Sequence, residues 1–234
     1  MQTKDKDVLK NQMIGWIKEF TKWPHRRTGT KEGEESAEYV KNEFTALGLK
    51  DVGIEYADSL CTEVLKEELF INGEKINAIL SNGTNKKNET GRSITNVQDA
   101  ELVYVRDGSE DAFSGLDVEG KIVVCDVFLS PHSWDDTPAT GFYGPNGEFD
   151  RDREIYNVYM PENYIDTYYK VMELGACAYV GVLQNFMDEN FLNEDYNYVI
   201  PQEEPMAIPT MWVSKAQGEE IVKKMPVRAS LSVE

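Results

Sequence analysis

Histidine is nearly missing from this chain. Two occur in 234 residues, His25 and His132, and neither starts a His-x-Asp: Arg26 and Arg27 follow the first, Ser133 and Trp134 the second. Cysteine is scarce too. Cys61, Cys125 and Cys177 are too few and too scattered for a disulfide framework, and their odd number suits a reducing compartment. Basic residues are outnumbered, 24 against 42 acidic, for a net charge of −18. That balance opposes binding to nucleic acid or anionic membrane and otherwise serves solubility. No apolar run approaches the roughly 20 residues of a membrane helix, and the opening MQTKDKDVLK lacks the apolar core of a signal peptide. A soluble, cytoplasmic protein is the expectation. Phosphate-loop glycines are absent: GFYGPNG at 141–147 has neither the Lys-Ser/Thr ending nor a strand before it.

What is present is an α/β pattern. Ile165, Tyr168, Tyr169 and Met172 stand at i, i+3, i+4 and i+7, one helical stripe, and Gly175 ends it. The small and apolar run Ala176 to Leu183 then reads as a buried strand. Upstream, DVEGKIVVCDV (Asp117 to Val127) leads a charged turn into a second buried strand. Strand, long connection, helix and strand make a crossover unit. Cys125 and Cys177 fall inside these strands and read as packing residues, since a reactive thiolate needs an open, electropositive setting.

The flanks fill in around that unit. Leu9, Met13, Trp16, Ile17 and Phe20 mark a helix over Val8 to Phe20, closed by Trp23 and Pro24. HRRTGTKEGEE reads as a loop. Ala37, Val40, Phe44 and Leu47 mark a second helix from Glu34, stopped by Gly48. Asp51 to Tyr56 alternates weakly, as a strand would. Asn72-Gly73 between two apolar runs (Glu67 to Ile76) signals a hairpin, because both turn positions need positive φ. Ser81 to Arg92 is a polar loop, Ala100 to Val105 a strand and Asp107-Gly108 a turn. Ser214 and Gln217 form a capping box ahead of Ile221, Val222 and Met225, and Val227 to Val233 alternates as a last strand.

Several of these segments carry a family likeness. Arg27 to Leu49, RTGTKEGEESAEYVKNEFTALGL, resembles the entry segment of zinc-dependent aminopeptidases and carboxypeptidases of the aminopeptidase Y and glutamate carboxypeptidase type, in which an Arg-x-x-Gly-Thr-like loop leads into a helix ending Leu-Gly-Leu. The bare alternative is a capped amphipathic helix after a glycine turn. The succession LVYV, acidic loop, DVEGKIV resembles the start of a protease-associated domain, which several of these enzymes carry as an insertion. ENYIDTYYKVMELGACAYVGVL and IPTMWVSKAQGEEIVKKM resemble its later helix and strand and its closing strand and helix. The resemblance implies residues 1–56 as peptidase entry segment and 57–234 as protease-associated domain, a mixed sheet with flanking helices. It also leaves export open as a second reading of location.

Two long inserts depart from that pattern, Phe128 to Asn163 and Gln184 to Ala207, with neither helical nor strand period. Trp134, Tyr143, Phe149 and Phe186 in them are the candidate substrate or partner surface, since loops this long are often functional and exposed aromatics suit binding. The plainer alternative is a pair of solvated excursions packed on their own rings.

The family's chemistry needs two zinc ions, a His-x-Asp, a bridging Asp, a Glu-Glu pair, a further acid and a last His. None of these can be assigned here. Glu34-Glu35 opens a helix, where acids suit the dipole, and Glu203-Glu204 sits in an acidic loop. Asp135, Asp136, Asp150 and Asp152 lack EF-hand spacing. Ser130, His132 and Asp135 are too close in sequence for a triad. Asn82-Gly83-Thr84 and Asn88-Glu89-Thr90 match glycosylation acceptors, as short triplets often do by chance. The expectation is no catalytic residue, no metal ligand and no cofactor in this chain, with zinc only where a catalytic half is present. The chain then reads as the front of a zinc metallo-aminopeptidase, its protease-associated domain covering the active site and helping to select peptide substrates. Its partners are a peptide or protein substrate and the missing peptidase domain, with self-association left open. A stand-alone, non-catalytic protein- or peptide-binding module is the alternative.

Overall fold

A computed structural model of the chain describes residues 3–58, 63–81, 83–85, 91–132, 155–185 and 206–234. They fall into two compact units, Met1–Glu63 and Val64–Glu234.

In the first unit, α1 (Thr3–Phe20) and α2 (Lys31–Ala46) are joined by a loop over residues 21–30. Helix α2 starts three residues earlier than its apolar stripe suggests. The Thr30 hydroxyl accepts from the Gly33 amide and fixes the first turn there, so the expected loop ends at residue 30. Gly48 ends the helix at φ +85, as expected. The helices are tied by the indole N–H of Trp16 on Glu43 (2.6 Å) and by Phe20, Trp23 and Tyr39, whose ring centroids lie 5.5–6.1 Å apart. Asp51 to Tyr56 is not a strand. No described segment pairs with it, and without a ladder its weak alternation cannot hold a sheet.

The second unit is built on an eight-stranded mixed sheet. Its strands are β1 (Glu67–Ile71), β2 (Glu74–Ile76), β3 (Ile79–Leu80), β4 (Thr95–Tyr104), β5 (Ile122–Val127), β8 (Ala178–Leu183), β9 (Thr210–Ser214) and β10 (Arg228–Val233), in the order β2-β1-β10-β4-β5-β8-β9-β3. Strands β4, β5, β8 and β9 run parallel, with antiparallel pairs on either side. Asn72 and Gly73, both at positive φ, turn β1 into β2 as their sequence demands.

Helix α3 (Tyr164–Glu173) makes the crossover from β5 to β8, and Gly175 at φ +83 releases it into the strand. Its face of the sheet buries Val103, Val123, Cys125, Tyr164, Tyr168, Tyr179 and Trp212. Helix α4 (Lys215–Lys224) starts on the capping box of Ser214 and Gln217 and joins the opposite core of Leu102, Val124, Val180, Met211 and Leu231. Each central strand thus feeds two cores by alternation, which is why these strands read as unbroken apolar runs. The first insert is not free of regular structure. Its ends pair as β6 (Leu129–His132) with β7 (Ile155–Pro161), a two-stranded sheet whose register shifts between Leu129 and Pro131 and so hides the period of two. The polar loop after β3 is also not fully solvated: Ser81, Thr84 and Asn85 are buried, and the Thr84 hydroxyl donates to the Ser81 carbonyl while accepting from the Thr210 amide.

Candidate functional site

The four parallel strands end at one edge of the sheet, the place where open α/β sheets collect ligands. Both inserts are rooted at that edge: the first leaves at Phe128 and returns at Asn163, the second leaves at Gln184. Asp126, half-buried, anchors it. One carboxylate oxygen accepts from the Tyr104 hydroxyl (2.6 Å) and the other from the side-chain NH₂ of Gln184 (2.8 Å). Asn163 stands at the N-cap of α3 but does not cap it. Its NH₂ instead donates to the carbonyls of Asp107 and Asp126 (2.7 Å each), and its oxygen accepts from the Phe128 amide (3.2 Å). Asn185 holds Leu129 as a neighbouring strand would, accepting from its N–H (2.7 Å) and donating to its carbonyl (3.0 Å).

The shifts of Tyr104, Cys125 and Cys177 come foremost from burial. The Tyr104 phenol is pushed far up by desolvation and then by Asp126, so it stays a neutral donor. The Cys125 thiol is pushed up to about 12, and that of Cys177 is raised as well, which removes both as nucleophiles at neutral pH. Tyr164 donates to the Thr210 hydroxyl (2.9 Å). Tyr168 donates to the Ile208 carbonyl (2.8 Å) and its oxygen accepts from the same residue's amide. The arrangement orients backbone and holds loops in place.

A second feature lies in the first unit, a shallow groove of about 430 Å³ lined by Glu34, Glu35, Glu38, Tyr39, Asn42 and Tyr56. Glu35 is held below the usual carboxylate range by the Trp23 indole and then by Lys31. Glu34 sits in the first turn of α2, where its charge suits the helix dipole. Among the described residues, no three His, Cys, Asp or Glu side chains converge as a metal ion requires, so the donor set found there does not fit zinc.

Trp134, Tyr143, Phe149 and Phe186 lie outside the described residues, as do Cys61, Glu203, Glu204, Asp135, Asp136, Asp150 and Asp152. The residues that root the inserts, Tyr104, Asp126, Asn163, Gln184 and Asn185, are not among those the sequence singles out. The signal that could have found them is an amide residue at the boundary of each insert.

No protein-family model and no curated protein matches the sequence. Solved structures do. The chain is similar to a peptidase M28 precursor from Shewanella amazonensis at a TM-score of 0.53 and 12% identity, covering 94% of this chain and 46% of that one. It is also similar to a zinc aminopeptidase from Bacillus subtilis at 0.50 and 15%, covering 94% and 43%. An aminopeptidase from an Aneurinibacillus strain, at 0.47 and 16%, covers 95% and 43% but adds nothing at that score. Identities this low show a shared α/β fold and no more. The chain spans less than half the length of each of these proteins.

Proposed function

We propose that this chain forms the front portion of a zinc metallo-aminopeptidase, supplying the entry helices and a protease-associated domain that covers the active site and helps select peptide substrates. Zinc would be held by a peptidase portion outside this chain. The observation that carries the reading is the fold likeness over 94% of the chain, which takes up only 46% of the M28 precursor. The exposed apolar residues of the first unit support it: Val8, Leu9, Met13, Ile14 and Ile17 on α1, with Phe44, Leu47 and Leu49 at the end of α2 and beyond. A peptidase sheet would cover such a set. Trp134, Tyr143, Phe149 and Phe186, on inserts rooted at the Asp126 edge, are the proposed substrate surface.

The test is to sequence the coding DNA past the codon for Glu234. A frame continuing into a His-x-Asp and a Glu-Glu is the expected result. A stop codon would overturn the reading and favour a non-catalytic binding module, for which the second unit's own two-sided core speaks.

A further inference from the structure

We propose that the roots of the two inserts are one cooperative unit, coupled through the backbone of Phe128 and Leu129. This claim is independent of any peptidase role. Phe128 and Leu129 are consecutive residues, and all four of their backbone polar groups are taken by insert-boundary residues. The Phe128 amide donates to Asn163 Oδ1, and the Phe128 carbonyl accepts from the Glu162 amide (2.7 Å); both partners end the first insert. The Leu129 amide and carbonyl are both taken by the side chain of Asn185, which starts the second insert. The preceding residues are held from both sides as well. The Asp126 carbonyl takes Asn163 and its carboxylate takes Gln184, while the Val127 carbonyl accepts from the Gln184 amide (3.0 Å).

The planar peptide between Phe128 and Leu129 cannot swing one group out without moving the other. Leu129 is also 1% exposed, so its carbonyl and amide would find no water while its side chain stayed in place. Releasing the second insert's root from Leu129 therefore strains the first insert's root at Phe128, and the reverse holds equally. An event at one insert is felt at the other through a path of four residues, Asn185, Leu129, Phe128 and Asn163, linked by hydrogen bonds at its two ends and a peptide bond in the middle. Asn163 gains its place in that path by leaving its helix uncapped, a use of the amide that local helix stability alone would not select.

Native-state amide hydrogen exchange on the full chain tests this without substrate. In Asn185→Ala, the amides of Phe128 and Glu162, which Asn185 does not touch, should exchange about thirtyfold faster, in step with Leu129; about thirtyfold is what two ordinary hydrogen bonds carry. The amides of Val123 and Val180 in the central sheet should keep their wild-type rates. Acceleration confined to Leu129 overturns the proposal. If Asn185→Ala does not fold, Asn185→Asp keeps the acceptor for the Leu129 amide and sets a carboxylate oxygen against its carbonyl in place of the donor. The same pair of outcomes then applies to Phe128 and Glu162.

Discussion

The indole of Trp212 lies against the α-carbon of Gly181 on the neighbouring strand. A β-carbon at 181 would stand 2.3 Å from its Cζ3 atom and 3.2 Å from a Val127 methyl. Gly181→Ala is therefore expected to destabilise the protein by about 1–3 kcal/mol, the range of overpacked cores. Denaturant unfolding followed by tryptophan fluorescence should show a lower midpoint and a shifted native emission, since Trp212 must move.

Gly218 gives a second case, in which two rules oppose each other. Alanine inside an exposed helix gains about 1 kcal/mol over glycine. Here, however, a β-carbon would meet Val182 Cγ1 at 2.1 Å, where α4 packs on β8. Gly218→Ala should lower the thermal midpoint, and a raised midpoint would show that the helix can lift off the sheet at little cost.

Ser214→Ala removes the hydroxyl that accepts from the Gln217 amide and opens the capping box of α4. The expected loss is about 1 kcal/mol, read as a drop in the urea midpoint with the slope unchanged. Tyr104→Phe should cost a similar 1–2 kcal/mol, the low end for a hydrogen bond to a charge because Asp126 is only half-buried.

Alkaline pH should weaken the fold in a defined window. Tyr104, Tyr164, Tyr168 and Tyr179 all hold their protons above the ordinary tyrosine value of 10.0, and Cys125 holds its proton to about 12 against an ordinary 9.0, burial being the largest cause in each. Above those ordinary values the unfolded chain releases protons that the folded chain keeps, so the unfolded state gains. Stability from these groups is fully present below about pH 9 and falls as pH rises beyond it. Urea midpoints at pH 7, 9 and 10.5 should be level across the first pair and lower at the last. Thiol reagents at pH 8 should label Cys125 only after denaturation.

Val8 and Ile17, 67% and 61% exposed, should tolerate serine within about 0.5 kcal/mol in the isolated chain. Under the peptidase reading, the same double substitution should weaken assembly with a catalytic portion, measured by co-purification of the two parts. An unchanged yield would count against that face as the docking surface.

The parts of the fold that the sequence makes legible are those governed by neighbours in the chain. Gly175 between an apolar stripe and an apolar run, Asn72-Gly73 between two short strands, and Ser214 three residues before Gln217 each specify their own geometry locally. Asp51 to Tyr56 misleads because alternation describes a strand only where a partner exists. The Asp126 edge is invisible for the opposite reason: Asp126 and Gln184 are 58 positions apart, and only the parallel pairing of β5 with β8 brings them together. Asn163 is doubly hidden, since its place ahead of a helix suggests a cap while its side chain serves three other backbone groups. The insert aromatics Trp134, Tyr143, Phe149 and Phe186 remain a proposal drawn from composition.

Strand β10 lies between β1 and β4, and Arg228 meets Asn72 across 156 positions of chain. During synthesis, the β1–β2 hairpin therefore emerges with one edge open, and its partner follows only after most of the second unit has been made. At 5–20 residues per second that interval is about 10–30 s. An unpaired strand edge exposed for so long invites pairing with other chains. The acidic excess of this sequence, spread over every nascent copy, would hold those copies apart until the last strand arrives to close the sheet.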